Sequence, residues 1–285
     1  MERRILGRTG RELSLVGLGG VVLVGMTQAE ADAIVGEALD RGVNYFDVAP
    51  SYGQDQETEK RLGPALERRR HEVFLACKTG QRSKEGASEE LRRSLKNLRT
   101  DYFDLYQLHA ISTREDIEKI FGPGGAMEAF LEARDAGLVR HLGFSAHSVE
   151  AAIAAMDRFD FDSALFPINF VTYYEGNFGP QIIAKAQEKG VARLALKAMA
   201  RTNWKENADR PYPHCWYEPL SDPRLADLAL RFTLSQPITA AIPPGDPRLF
   251  RLAMDIADKF HPITDAELAE LREYARTLQP IFKAA

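Results

Sequence analysis

Cysteine is scarce: Cys77 and Cys215 are the only two in 285 residues. They stand far apart and without metal-ligand spacing, which argues against a disulfide framework or a zinc site and fits a reducing, cytoplasmic compartment. Cys77 precedes Lys78 in an apolar run, so on a strand it points to the opposite face and reads as core packing. Long apolar runs are missing too, and no segment approaches the roughly 20 residues that would span a bilayer. Nor is there an excess of positive charge. With 37 Lys and Arg against 41 Asp and Glu, the net charge is −4, which gives no general attraction for nucleic acid or an anionic membrane. The short basic run Arg68-Arg69-Arg70 reads as a solvated helix end. No linker or composition shift divides the chain, so one domain over residues 1–285 is expected. No heptad seam is sustained, and the oligomeric state is left open.

What is present is ordinary globular material. Hydrophobic residues make up 45% and charged residues 27%, enough to build a large core without staples. Arg3-Arg4 before the apolar stretch Leu13 to Met26 superficially resembles a secretory signal. Gly17, Gly19, Gly20 and Gly25 interrupt that stretch, however, and it reads better as a hairpin followed by a first core strand. Beyond it the chain alternates. Strands are expected at Leu15–Gly19, Val43–Asp47, Glu72–Lys78, Phe103–His109, Val139–Ser145, Ser163–Ile168, Val191–Ala198 and Ile238–Ile242. Helices are expected at Glu30–Arg41, Glu57–Arg69, from a Ser88 cap to Leu98, and at Ala126–Ala136, Val149–Arg158, Pro180–Lys189 and Pro223–Ser235. Two more follow Asp246 and Thr264. Eight strand-helix units in under 300 residues predict a (β/α)8 TIM barrel, with a short N-terminal β-hairpin and an additional C-terminal helix. A doubly wound open sheet is the runner-up. The one long connection, residues 201–222, is rich in Trp, Tyr, Pro and His and reads as an ordered flap.

Asp47, Lys78 and His109 each close an apolar strand, and successive members are 31 residues apart, one βα unit each time. Three ionisable groups at the C-terminal ends of consecutive barrel strands lie side by side at the face where such barrels place their chemistry. Tyr52 leaves the same strand as Asp47 by a five-residue step and can fold over the same spot. Taken singly, each has a bland reading: a helix cap, an exposed lysine, a hydrogen-bonded core histidine, or an Asp47–Lys78 ion pair of structural use only. Taken together they form a proton donor. Lys78 beside the Tyr52 phenol favours its anion and lowers its pKa, Asp47 holds Lys78 charged and oriented, and His109 hydrogen-bonds the substrate oxygen. No residue is an evident acyl-transfer nucleophile, so a hydride from a nicotinamide would complete the reaction. Lys78 as a Schiff-base lysine is a competing reading.

The segments Gly42-Val43-Asn44-Tyr45-Phe46-Asp47 with Ser51-Tyr52-Gly53, Ala76-Cys77-Lys78-Thr79, and Asp101-Tyr102-Phe103-Asp104-Leu105-Tyr106-Gln107-Leu108-His109 hold an Asp, Tyr, Lys and His in order. With Gly7-Arg8-Thr9-Gly10 and Gly17-Leu18-Gly19-Gly20 at the start, the chain resembles the aldo-keto reductase superfamily over nearly its whole length. The resemblance implies reversible reduction of a small-molecule aldehyde or ketone with NADPH, less often NADH. It also implies cofactor-binding positions. Gly20 lies in the opening motif, and Ser145, in Leu142-Gly143-Phe144-Ser145, matches the family's serine for the nicotinamide carboxamide. The family's next Asn is here Ala146, and its strand-six Gln is missing, leaving Asn169. Where many members stack an aromatic residue, Leu196-Lys197-Ala198 offers none, and Lys197 can approach the cofactor instead. Gly245 lies in a loop similar to the family's phosphate loop, with Arg248 and Arg251 left to meet a 2′-phosphate. Some members act as cofactor-sensing regulatory subunits, the second reading of function. Tyr52, Trp204, Trp216 and Tyr217 are expected to frame the substrate pocket.

Overall fold

The computed structural model of the protein describes residues 1–284. Strands β1 (Arg3–Ile5) and β2 (Glu12–Ser14) form an antiparallel hairpin. Then come β3 (Leu18–Gly19), α1 (Gln28–Asp40), β4 (Tyr45–Asp47), α2 (Glu57–Leu66), β5 (Phe74–Thr79) and α3 (Lys84–Asn97). They are followed by β6 (Phe103–Ile111), α4 (Arg114–Phe121), α5 (Ala126–Asp135), β7 (Val139–Ala146), α6 (Val149–Arg158), β8 (Ser163–Pro167), α7 (Phe170–Tyr174) and α8 (Pro180–Glu188). The last third holds β9 (Ala192–Leu196), β10 (Ala200–Asn203), β11 (Tyr217–Pro219), α9 (Pro223–Ser235), β12 (Ala240–Ile242), α10 (Pro247–Asp258) and α11 (Asp265–Ala275).

Eight strands, β3 to β9 and β12, pair in parallel in that order. A parallel bridge from Val16 to Ala241 closes the ring, carried by Gly17 N–H donating to Ala241 O at 2.9 Å and Ala241 N–H to Leu15 O at 2.9 Å. The expected (β/α)8 barrel is therefore what the chain forms, and the open-sheet alternative is excluded.

Alternation along the strands makes two cores. Tyr45, Phe74, Ala76, Leu105, Leu165, Leu194 and Ala240 fill the barrel interior. Leu6 and Leu13 of the hairpin join them, and Thr239 Oγ1, at the start of β12, donates to Ile5 O at 3.1 Å. The hairpin thus plugs the N-terminal end of the barrel and leaves the other end for chemistry. The outward faces pack against the helices in a second, larger cluster that includes Cys77, as the strand alternation predicts.

The local signals mostly held. Gly42 takes φ +83° just past α1, a conformation that costs other residues strain. The helix expected from Ser88 starts earlier: Ser83 caps α3 by accepting from Gly86 N–H, and Ser88 sits inside the helix. Helix α4, with its Thr113–Asp116 capping box, and the single-turn-scale α7, capped by Asn169, were not expected from the pattern. Within residues 201–222, β10 and β11 pair as an antiparallel hairpin, so the aromatic connection has secondary structure of its own.

Candidate active site

The C-terminal end of the barrel opens into a cavity of about 280 Å³ whose wall includes Asp47, Tyr52, Lys78, His109 and Ser145. The strand registers explain why they meet. Gly19 pairs with Asp47, Asp47 with Ala76, and Lys78 with Gln107, which staggers successive strands toward one rim. Asp47 and Lys78 are each only 1% exposed and are joined through Asp47 Oδ1 and Lys78 Nζ. Lys78 Nζ also reaches Tyr52 Oη at 3.3 Å and Val48 O at 3.4 Å. Asp47 Oδ2 accepts from Tyr45 Oη and from Gln107 Nε2, both at 3.1 Å. The Tyr52 and His109 rings meet edge to face with centroids 5.8 Å apart, and His109 Nδ1 faces Ser51 Oγ at 3.5 Å.

Burial by itself would pull the Lys78 ammonium down, but Asp47 and Tyr52 outweigh it and hold the pKa above its usual value. The Tyr52 phenol differs from expectation. Burial pushes its pKa up more than Lys78 pulls it down, and Asp47 adds to the rise. The phenol therefore stays firmly protonated, with the ammonium beside it ready to receive the charge of the phenolate. His109 is lowered to about 3, first by burial and then by Lys78. It is neutral at pH 7 and acts as a hydrogen-bond donor or acceptor, not as a cation.

At the end of β6 the register with β7 slips between Leu108 and Ile111, and Ala110 takes φ +54°. Ser145 Oγ accepts the Ala110 N–H at 2.8 Å, fixing this strained turn directly after His109. Ser145 Oγ makes no other hydrogen bond among the described residues, so its own hydrogen is free to turn into the cavity.

The cofactor-binding candidates fare unevenly. Ser145, Lys197 and Gly245 line the cavity. Gly245 is required there by close approach: a Cβ would lie 2.3 Å from Val21 Cγ1, where the loops after β3 and β12 touch. Gly20 does not line the cavity but packs against Val48 behind Tyr52, while its neighbours Gly19 and Val21 face inward. Asn169 also stands outside the wall. Its Oδ1 accepts from Thr172 N–H as the cap of α7, although its buried Nδ2 lacks a partner among the described residues. Arg248 is bound to Asp246 and donates to Pro211 O at 2.6 Å, and Arg251 is paired with Glu37 at 2.8 Å. Neither arginine lines the cavity, because nearer carboxylates hold both.

Trp216 and Tyr217 line the cavity as expected, but Trp204 does not: its indole N–H donates to Cys215 O at 2.7 Å inside the flap. Two wall residues, His147 and His214, escaped the sequence reading, as did Gln107, which donates to Asp47 without lining the cavity. Two of them had a signal. His147 and Gln107 each stand two residues from an expected site residue, Ser145 and His109, and so share its inward face. His214 sits in the flap, where no periodicity marks it.

The His147 ring is also lowered to about 3, by burial and then by Lys197. The unfolded chain protonates both His109 and His147 as pH falls past 6.5, whereas the folded protein does not until about 3. Stability is thus fully present above pH 6.5 and is lost as pH falls toward 3, with each ring held neutral costing on the order of 1 kcal/mol per pH unit near pH 5. Urea midpoints measured at pH 7.5 and pH 5 are expected to show the loss, and His147→Gln to reduce it. An unchanged pH profile in His147→Gln would mean that the ring is not held neutral.

The aldo/keto reductase family model matches residues 15–275. Over 100% of this chain and 99% of its own length, the uncharacterized oxidoreductase YqkF of Bacillus subtilis (strain 168) is 27% identical. The aldo-keto reductase YhdN of the same organism is 29% identical over 70% of this chain and 63% of its own. Among solved structures, the holo form of aldo-keto reductase AKR11C1 from Bacillus halodurans superposes with a TM-score of 0.74 at 26% identity, covering 100% of this chain and 97% of that one. With a matching family model over most of its length and the Asp47, Tyr52, Lys78 and His109 cluster at the expected barrel rim, the chain belongs to the aldo/keto reductase family of oxidoreductases.

Proposed function

We propose that the protein reduces an aldehyde or ketone to the alcohol, with Tyr52 as the proton donor and NADPH, or alternatively NADH, as the hydride source. The observation that carries this reading is the buried chain Asp47–Lys78–Tyr52, which ends in a protonated phenol at the floor of the cavity beside a neutral His109. The donor set also fits a nicotinamide: the free hydrogen of Ser145 and the loops at Gly19, Val21 and Gly245 face one cavity. When bound, that cofactor supplies hydride to the carbonyl carbon. Ser145 would hold its carboxamide, and Gly245 would let the β12 loop approach it closely.

His109 positions the carbonyl oxygen by hydrogen bonding, and the proton passes from Tyr52 Oη to that oxygen. The phenolate left behind lies 3.3 Å from the Lys78 ammonium, which Asp47 keeps charged. The same pairing disfavours a Schiff-base role, since a lysine held protonated against a buried carboxylate has no lone pair for attack. To meet the 2′-phosphate of NADPH, Arg248 and Arg251 must first leave Asp246 and Glu37. The free, buried state of Cys77 and Cys215 supports a reducing, cytoplasmic setting. Among the described residues no helix is long and apolar enough to cross a membrane.

The test is to titrate the purified protein with NADPH and with NADH by fluorescence, then follow cofactor absorbance against a panel of aldehydes and ketones. Binding followed by turnover supports the reading. Tight binding without turnover on any substrate would favour a cofactor-sensing role, and no binding of either cofactor would sink both.

A further inference from the structure

One wall of the cavity has no part in the proton path. Lys197 Nζ sits 3.4 Å from His147 Nε2, with the Trp216 ring centroid at 5.6 Å and that of Phe282 at 5.4 Å. Phe282 in turn stacks on His147 at 5.1 Å, so the aromatic rings and the two nitrogens form one corner. Lys197 is only 9% exposed. A lysine that deep is almost always paired, as Lys78 is with Asp47. Among the described residues, no carboxylate lies within salt-bridge distance of Lys197, and the neighbour acting on it electrostatically is another cation, Lys78.

The backbone there is also strained. Lys197 takes φ +61°, a conformation that strains a side-chain-bearing residue and persists where the surrounding structure imposes it. The cavity as a whole is unbalanced. Among the described residues Asp47 is its one acidic wall residue and is already engaged by Lys78, while Lys197 faces the same space beside the hydrogen-bonding rings of His109, His147 and His214. Burial and Lys78 lower the Lys197 pKa to about 7, which an incoming anion would reverse.

We infer that Lys197 and His147 form an oxyanion-binding corner whose occupant is the carboxylate of the substrate, so that the protein's substrates are carbonyl compounds carrying a carboxylate. This rests on the reductase reading above, and it gives Lys197 to the substrate instead of the cofactor. The reason for choosing the substrate is the company Lys197 keeps. Trp216 on the cavity wall, backed by Phe282, gives an apolar side suited to a short carbon chain with a charged end, and Lys197 shares its cavity with Tyr52. The other source of an oxyanion, a cofactor phosphate, is distinguished by the test.

The first arm needs no turnover: calorimetric titration of the protein with succinate and, separately, with succinamide. Succinate is expected to bind about 10–100-fold more tightly than succinamide, the range of one charge-assisted hydrogen bond. Lys197→Met is expected to abolish the difference and Lys197→Arg to retain part of it. The second arm compares kcat/KM for 4-oxobutanoate and its methyl ester, where the acid should lead by a similar factor in the wild type and lose its lead in Lys197→Met. Equal binding of succinate and succinamide overturns the corner whether or not the protein reduces anything. Turnover of acid and ester at equal kcat/KM overturns the substrate class while leaving the reductase reading intact. If Lys197→Met weakens NADPH binding tenfold without touching the succinate preference, the oxyanion belongs to the cofactor and the substrate assignment is overturned.

Discussion

Tyr52→Phe is expected to lower kcat for carbonyl reduction by about 10²- to 10⁴-fold, the usual worth of a positioned general acid. The fold should not suffer. The hydroxyl's partner, Lys78, keeps Asp47 and Val48 O, and the ring keeps its edge-to-face contact with His109. The chain around it is held independently, since Thr58 Oγ1 donates to Tyr52 O at 3.2 Å. A melting temperature within about 2 °C of wild type is expected, which corresponds to about 1 kcal/mol or less for a protein of this size.

The raised pKa of Tyr52 adds a direction in pH. The phenol remains a proton donor up to and beyond its usual value near 10, so its titration should not cut the reduction rate between pH 7 and 9. The reverse oxidation needs the phenolate and should gain with rising pH over the same range. Steady-state kinetics in both directions would show this. A Tyr52→Phe variant that keeps more than a third of wild-type kcat would remove Tyr52 from the proton path.

The barrel and the four-residue cluster were legible in the sequence for one physical reason: both depend on period. Buried parallel strands read as apolar runs, and each run ends where its side chains reach the rim. Three polar residues closing three runs at a constant step of 31 could therefore be placed together without coordinates. What was not legible depended on competition between groups that are distant in sequence. The pattern around Arg248 and Arg251 suits a phosphate, yet Asp246 and Glu37 take both guanidiniums. Proximity of Lys78 suggested a lowered Tyr52 pKa, while the amount of burial, which needs the fold, reverses the sign. Ser88 looked like a cap, but Ser83, five residues earlier, supplies the cap to the same helix. Asn169 is held as the cap of a single short turn that no periodicity announces. His214 and Trp204 lie in the flap, whose hairpin pairs Asn203 with Tyr217 across a loop with no alternating pattern to read.

Removing the Asp47 carboxylate is expected to be the most destabilising change in the site, by about 3–5 kcal/mol in Asp47→Ala, because it leaves the Lys78 ammonium buried without its counter-charge. Among the described residues, Val48 O at 3.4 Å and Tyr52 Oη at 3.3 Å are the only other partners of Nζ, and both are long and uncharged. Tyr45 Oη and Gln107 Nε2 lose their acceptor as well, and Gln107 Oε1 already lacks a partner among the described residues. With Asp47 gone, burial dominates the lysine and its pKa falls, so the proton-donating phenol loses its stabilising cation too. Stability and chemistry can be separated by a second substitution. Asp47→Ala with Lys78→Met replaces a buried ion pair by apolar atoms and is expected to recover most of the lost stability, since such replacements are often neutral or better. It should recover none of the activity, because no cation then faces Tyr52. Urea denaturation of the wild type, both single variants and the double variant gives the coupling energy directly. If the double variant is no more stable than Asp47→Ala, the pair is held for the fold. If it is stable and inactive, a buried Asp–Lys pair persists in this barrel because the proton transfer at Tyr52 requires a charged lysine in a place where water does not stabilise one.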